Sequence, residues 1–332
     1  MINRRVIAVA AALGALLGAA VAPADEPCVL GGFVDAGYAG NFDRRDDAFG
    51  LNEAELDITR AEGGDILLRA DLEWVRDGET WRTAAEQGYL AWRLPCRRPV
   101  TFTLGRFNAP IGWELPDAPD LHQFSHGLLF TYCTPTNLTG ALLSGGLGHG
   151  LDLKAYAVNG WEQNAENNGV KTFGGRLGYA GAGGGGAGVA LISGMDDPAQ
   201  DIVRTVVDID LTLKPTQNLL LGAEFNRGRL GRGASAAVWT GAMAMAHLQT
   251  GARLGLTARF DLLDDTDDAL FGADRPTRRT SFTLAPVVKL EEGLRALVEL
   301  RLDSANADVF AARDGAPKRS TLSAAFTMTC LF

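Results

Sequence analysis

Apolar residues recur at every second position along most of this chain, in one segment after another of about 10 to 13 residues, the length a strand needs to cross a bilayer at a tilt. Ile66, Leu68, Ala70, Leu72 and Trp74 interleave with Leu67, Arg69, Asp71 and Glu73. Leu254, Leu256, Ala258, Phe260 and Leu262 interleave with Arg253, Gly255, Thr257, Arg259 and Asp261, and Leu294, Ala296, Val298, Leu300 and Leu302 with Arg295, Leu297, Glu299, Arg301 and Asp303. Successive side chains point to opposite faces of a strand, so each segment has an oily face and a polar one. A soluble sandwich supplies one or two strands of this kind and length; a long series of them predicts an all-β, transmembrane, antiparallel up-and-down barrel.

About sixteen strands are expected on this alternation, over residues 30–41, 51–61, 65–75, 86–95, 99–107, 137–146, 149–160, 171–181, 184–194, 202–214, 217–228, 235–247, 252–263, 278–290, 294–305 and 319–332. Gly and Ala blur the pattern in the sixth and ninth, which leaves fourteen or eighteen open. The connections alternate as barrel turns and loops do. Short ones follow even strands, as at Glu62–Gly64 and Glu291–Gly293, and longer ones follow odd strands, as at Arg76–Ala85, Trp161–Val170 and Asp264–Thr277. Tyr38, Trp74, Phe225, Trp239 and Phe260 are expected on the lipid face near the outer ends, with Phe102, Phe326 and Phe332 near the inner ends, forming two interfacial girdles.

Both ends of the sequence fit this reading. Arg4 and Arg5 precede an apolar run from Val6 to Ala22 and the small-x-small site Ala22-Pro23-Ala24, which predicts an export signal over 1–24 and a barrel over 25–332. Cys28 lacks the Leu-x-x-Cys context of a lipid anchor. The final strand alternates Leu322, Ala324, Phe326, Met328, Cys330 and Phe332 with mostly Thr, Ser and Ala, the closing strand by which barrel-assembly machinery is expected to take hold. Expected partners are the lipid bilayer, lipopolysaccharide and small hydrophilic solutes, in the bacterial outer membrane. A homo-oligomer is left open. The formal charge of −9, which becomes −11 without the two signal arginines, argues against nucleic acid.

About sixteen strands enclose an interior wide enough for an aqueous channel, and function is then expected in its lining. Acidic candidates for the inner face are Glu53, Glu55, Asp57, Asp71, Glu73, Asp208, Asp210, Glu224, Asp261 and Glu299; basic ones are Arg69, Arg93, Arg176, Arg204, Arg259 and Arg301. Many would pair across strands and simply hydrate the wall. Glu53, Glu55 and Asp57 share one face without an inward cation in their own strand, which predicts a weak preference for cations. The longest connection, 108–136, carries Pro110, Pro116, Pro119 and Pro135, the charges Glu114, Asp117 and Asp120, and His122 and His126. A loop of that length suits a constriction folded into the lumen, the bland alternative being a cover over the mouth.

Other chemistry finds little support. The chain has four histidines, none in the setting of a nucleophile–base pair, so no catalytic residues are expected. The glycine run 181–186 matches a dinucleotide fingerprint formally but lies between strands, where it reads as a hairpin turn. Asp264, Asp265, Asp267 and Asp268 lack the Gly and closing Glu of a calcium loop and read as a solvated external loop. The cysteine spacings match no zinc pattern, and neither metal nor cofactor is expected. Cys28 and Cys96 both map near the periplasmic rim, and a disulfide between them is expected to clamp the amino-terminal segment there. Cys330 has lipid-facing parity and reads as a small apolar filler.

The stretch GRFNAPIGWE from Gly105 resembles the G-R/Q-F-x-x-P-x-G-x-E signature of the β-barrel porin-2 family and, more distantly, of phosphate-selective porins. SHGLLFTYCTPTNLTGALLS from Ser125 and KTFGGRLGY from Lys171 are similar to the same family. The resemblance spans most of the mature chain and implies an outer-membrane porin for passive diffusion of small hydrophilic solutes or ions. It is specific for architecture and poor for substrate, and a phosphate pore fits badly with only five lysines. The alternative from another class is a non-conducting barrel serving as adhesin or scaffold.

Overall fold

The structure is a computed structural model and describes residues 27–44, 46–77, 80–197 and 202–332. The expected export signal lies outside the described residues. The strands are β1 (Val29–Asn41), β2 (Ala48–Glu62), β3 (Ile66–Asp77), β4 (Thr80–Arg93), β5 (Val100–Asn108), β6 (Asn137–Gly148), β7 (Leu151–Val158), β8 (Thr172–Ala180), β9 (Gly186–Asp197), β10 (Ile202–Thr216), β11 (Leu219–Leu230), β12 (Ala237–Gln249), β13 (Leu254–Asp265), β14 (Thr277–Glu291), β15 (Leu294–Ala305) and β16 (Ser320–Leu331). Each pairs antiparallel with its neighbours in sequence, and β16 returns to β1 from Phe33↔Leu331 to Asn41↔Ser323, closing a barrel of sixteen strands. Closure removes every open edge, which is what lets strands cross hydrocarbon with their backbone groups satisfied. A ribbon of two-residue strands, Phe310–Ala311 and Pro317–Lys318, decorates the β15–β16 loop.

The turns after even strands are tight. Between β2 and β3, Gly63 and Gly64 take φ of 61° and 77°, a left-handed pair that only residues without a Cβ adopt without strain. Outside, Ile209, Leu256, Phe260, Leu300 and Phe326 stand exposed on the lipid face, and their strand neighbours Asp208, Thr257, Arg259, Glu299 and Thr327 are buried within.

Two expectations about this wall are overturned. Of the connection predicted at Arg76–Ala85, the described residues are strand instead, Arg76 and Asp77 ending β3 and Thr80–Ala85 opening β4. The period of two is interrupted where Asp71 pairs with Gln87 while Leu72 pairs with Ala85, so that Glu86 is the extra residue of a bulge and the alternation on its two sides is out of phase. Trp239 does not face lipid. It is 1% exposed, faces the lumen, and donates from its indole nitrogen to Asn226 (3.1 Å). Its ring lies against Gly228, where a Cβ would collide with it. The lumen is accordingly not water throughout: Leu138, Val158, Ile192, Val206, Trp239, Met243, Met245 and Leu263 form a packed apolar core inside the barrel.

Candidate functional site: the lumen and its inserted segment

That core is covered by the long β5–β6 connection, residues 109–136. It contains a 3-10 turn, Ala118–Asp120, and one short helix, α1 (Leu128–Cys133). Leu128, Leu129 and Cys133 of α1 join Met243, Met245 and Leu263 in the core. Trp113 lies across Gly222, where a Cβ would meet its ring, and donates to Thr212 (2.9 Å). Most of the segment is irregular, so its peptide groups need partners from elsewhere. The wall supplies them. The amides of Gly112 and Trp113 donate to Asp208 (3.2 Å) and Glu224 (2.9 Å), that of Ala118 to Glu53 (3.3 Å), those of Phe124 and Ser125 to Glu299 (2.8 and 3.0 Å), and that of Leu128 to Asp261 (3.3 Å). Carbonyls are met by wall donors: Leu121 by Arg295 (2.7 Å), His122 by Thr257 (2.8 Å), Ser125 by Arg259 (2.7 Å) and His126 by Arg301 (2.6 Å).

Besides Glu53 and Glu55, which cluster with Asp117, and Glu73, which meets Arg82 (3.5 Å), the residues expected on the inner face fall into three groups. Asp208, Glu224, Asp261, Glu299, Arg259 and Arg301 hold the segment. Asp57, Arg69, Asp71, Arg176 and Asp210 pair along the wall, Arg69 with Asp71 (2.8 Å) and Asp57 (3.1 Å) and Arg176 in a fork with Asp210. Arg204 lies over the Trp161 ring at 4.7 Å, and Arg93 is exposed at the end of β4. Glu114, on the segment itself, accepts from Arg259 (2.6 Å), Gln123 (2.7 Å) and the Gly127 amide (2.6 Å).

Glu53, Glu55 and Asp117 form a distinct cluster, with one carboxylate oxygen of each within 4.8 Å of the others; Glu55, Asp71 and Glu86 meet the same limit. Burial, with Glu86, Glu53, Asp120 and Asp57 adding like charge, pushes the Asp117 carboxyl up to about 8. Glu86, Asp35 and Arg106 belong to this region although the alternation did not single them out. Glu86 sits at the bulge, and Asp35 opposes Glu53 where Asn52 forms a second bulge.

The segment divides the remaining space. On one side a cavity of about 590 Å³ runs against the arc formed by β1–β5, β15 and β16 and carries Asp35, Glu53, Glu73, Glu86, Arg82, Arg106 and Arg295. On the other, about 550 Å³ lies against Lys154, Arg176, Asp210 and Lys214. Asp120 and His122 line the second cavity.

His122 stacks on His247 with ring centroids 4.2 Å apart. Burial, with His247, Arg295 and Lys214 adding positive charge, lowers its pKa to about 4; Arg253, Lys289 and Glu291 share the small cavity on which it opens. The seated form thus takes up its proton less readily than a free histidine near 6.5. Its stability is whole above that value and is lost as pH falls from about 6.5 to about 4. Channel noise is expected to rise over that interval and to rise less in His122→Gln; equal noise in the variant would place the titrating group elsewhere.

The expected disulfide is corrected. All four cysteines are free thiols. Cys28 precedes β1, while Cys96 lies in the β4–β5 turn with β2 and β3 between, and donates to the Arg98 carbonyl (2.8 Å). In the acidic external loop, Asp265 accepts from the amides of Ala269, Leu270 and Phe271, and Asp268 from those of Ala273 and Asp274, so both fold their own loop.

The profile of the family described as "Putative beta-barrel porin-2, OmpL-like" matches residues 28–330. The chain belongs to that family. This makes it an integral barrel of the bacterial outer membrane, of the channel-forming kind. No curated protein matches it in sequence. Among solved structures, the anion-selective porin from Comamonas acidovorans is 14% identical, with 93% of this chain and 100% of that chain covered and a TM-score of 0.67. The outer membrane channel DcaP of Acinetobacter baumannii is 11% identical, covering 92% and 97%, TM-score 0.66. The trimer form of OmpT, an outer membrane protein of Vibrio cholerae, is 10% identical, covering 92% and 99%, TM-score 0.65. At these identities the likeness speaks for the barrel fold and no further.

Proposed function

We propose that this porin-2 barrel passes small hydrophilic solutes passively, that the 109–136 segment is its constriction, and that it favours cations. One observation carries the reading: the cavity beside the arc of β1–β5, β15 and β16 presents Asp35, Glu53, Glu73 and Glu86 against Arg82, Arg106 and Arg295. Field lines concentrate in a narrow, low-dielectric passage, so a local excess of carboxylates outweighs the near balance of signs around the whole wall. The Comamonas protein is described as anion-selective; the charge of this arc points the other way. A salt gradient across a planar bilayer tests it. Reversal potentials are expected on the cation side, moving toward zero in Glu53→Gln/Glu73→Gln. Anion selectivity overturns the preference, and the absence of stepwise conductance overturns the channel in favour of a closed scaffold.

A further inference from the structure

We propose that Glu53, Glu55 and Asp117 form a divalent-cation site, suited to calcium, that fastens the inserted segment to β2, with Glu86 as an adjoining ligand. The geometry is the first observation: the three oxygens lie within 4.8 Å of one another. Such a triangle contains a point about 2.8 Å or less from each corner, and calcium accepts carboxylate oxygens at about 2.3–2.6 Å. Shifts of a few tenths of an ångström complete the contact.

The second observation is independent of clustering. Glu55 is 2% exposed, and neither of its carboxylate oxygens has a hydrogen-bond partner among the described residues. Asp117 Oδ1 and Glu86 Oε2 are buried and unpartnered as well. The register explains why. Directly across from Glu55 stand Phe33 on β1 and Glu73 on β3, neither of them a cation. The nearby arginines are engaged elsewhere, Arg69 with Asp57 and Asp71, Arg82 with Glu73, and Arg106 with the Glu86 carbonyl (2.9 Å). Buried carboxylates elsewhere in this lumen have at least one donor, as Asp208, Asp261 and Glu299 do, and as Glu224 does at Oε2 although its Oε1 is unpartnered; among the described residues, Glu55 lacks one at both oxygens. A buried, unpaired carboxylate is expensive and must be met by a proton or a metal. An all-oxygen, anionic site of this size favours a hard cation over zinc or copper.

The site is independent of whether the lumen conducts, and its test needs no current. The mature barrel, folded in detergent micelles, is dialysed against radioactive calcium at neutral pH and melted with calcium or with chelator. One ion per barrel is expected, with a higher melting temperature in calcium. In Glu55→Gln and, separately, in Asp117→Asn, affinity is expected to fall at least tenfold and the calcium-dependent shift to vanish. Glu55→Gln in chelator should melt above the wild type in chelator, because one charge leaves the cluster. A folded wild-type barrel that binds no calcium at millimolar concentration overturns the proposal by itself, assigning protons to the cluster. Uptake undiminished in both variants also overturns it and moves the ion to the external acidic loop.

Discussion

Replacing Arg259 with methionine is expected to free the 109–136 segment and enlarge the conductance of the barrel. Arg259 is 1% exposed and donates to Asp261 (3.0 Å), Glu114 (2.6 Å) and the Ser125 carbonyl (2.7 Å). Methionine fills much of the same space but leaves Glu114 and Asp261 as buried charges without their cation, a loss of about 3–5 kcal/mol. The sixteen-stranded ladder does not depend on this contact, so the cost falls on seating. Larger, noisier current steps and rapid chymotryptic cleavage between residues 109 and 136 are the expected signs. A barrel with the segment cut to a short turn sets the upper limit of conductance. Glu114→Gln combined with Arg259→Met should recover part of the lost protection, since one of the stranded charges is gone. Unchanged steps together with a protease-resistant segment would show that Arg259 is no latch.

Leu300→Arg is expected to destabilise the folded barrel in lipid by about 2–4 kcal/mol. Leu300 stands midway along β15, 47% exposed to the surroundings, between the inward Glu299 and Arg301. An outward arginine there must enter hydrocarbon near the bilayer centre, whereas Arg301, one residue on, already sits inside with Asp303 and the His126 carbonyl. Reversible unfolding by denaturant from lipid vesicles measures the difference. A loss below about 0.5 kcal/mol would mean that the outer face of β15 does not meet the membrane core.

The barrel was legible because its determinant is local. A strand between lipid and lumen must alternate, so most of the sixteen announce themselves, the Gly- and Ala-rich sixth and ninth least, and the ends of β1, β10, β13 and β15 fall within about three residues of expectation. What failed to show was whatever broke the period or reached across it. The Glu86 bulge adds one residue and reverses the parity of everything before it, which hid Arg82 and the start of β4. Trp239 reads as a girdle aromatic when only β12 is considered; it faces inward because an apolar helix from a connection more than a hundred residues away lies over it. The partners of Glu299 and Arg301 were equally hidden. Cross-strand pairing was the natural expectation; Glu299 instead meets the amides of residues 124 and 125, and Arg301, besides its pair with Asp303, the carbonyl of residue 126, which no pattern of side chains announces. The carboxylates of Glu53 and Glu55 were visible as a shared face; that Asp117 meets them depends on how an irregular segment turns.

The wall grips the inserted segment largely by its peptide groups, through Asp208, Glu224, Glu53, Glu299 and Asp261 on the amides and Arg295, Thr257, Arg259 and Arg301 on the carbonyls. Peptide groups are the same whatever residue they belong to. Mooring and filtering are thereby uncoupled: side chains such as Asp120 and Phe130 can be exchanged to retune what a pore admits while the berth that holds them is left untouched, which makes this segment a place where an engineer can rewrite permeability without rebuilding the vessel.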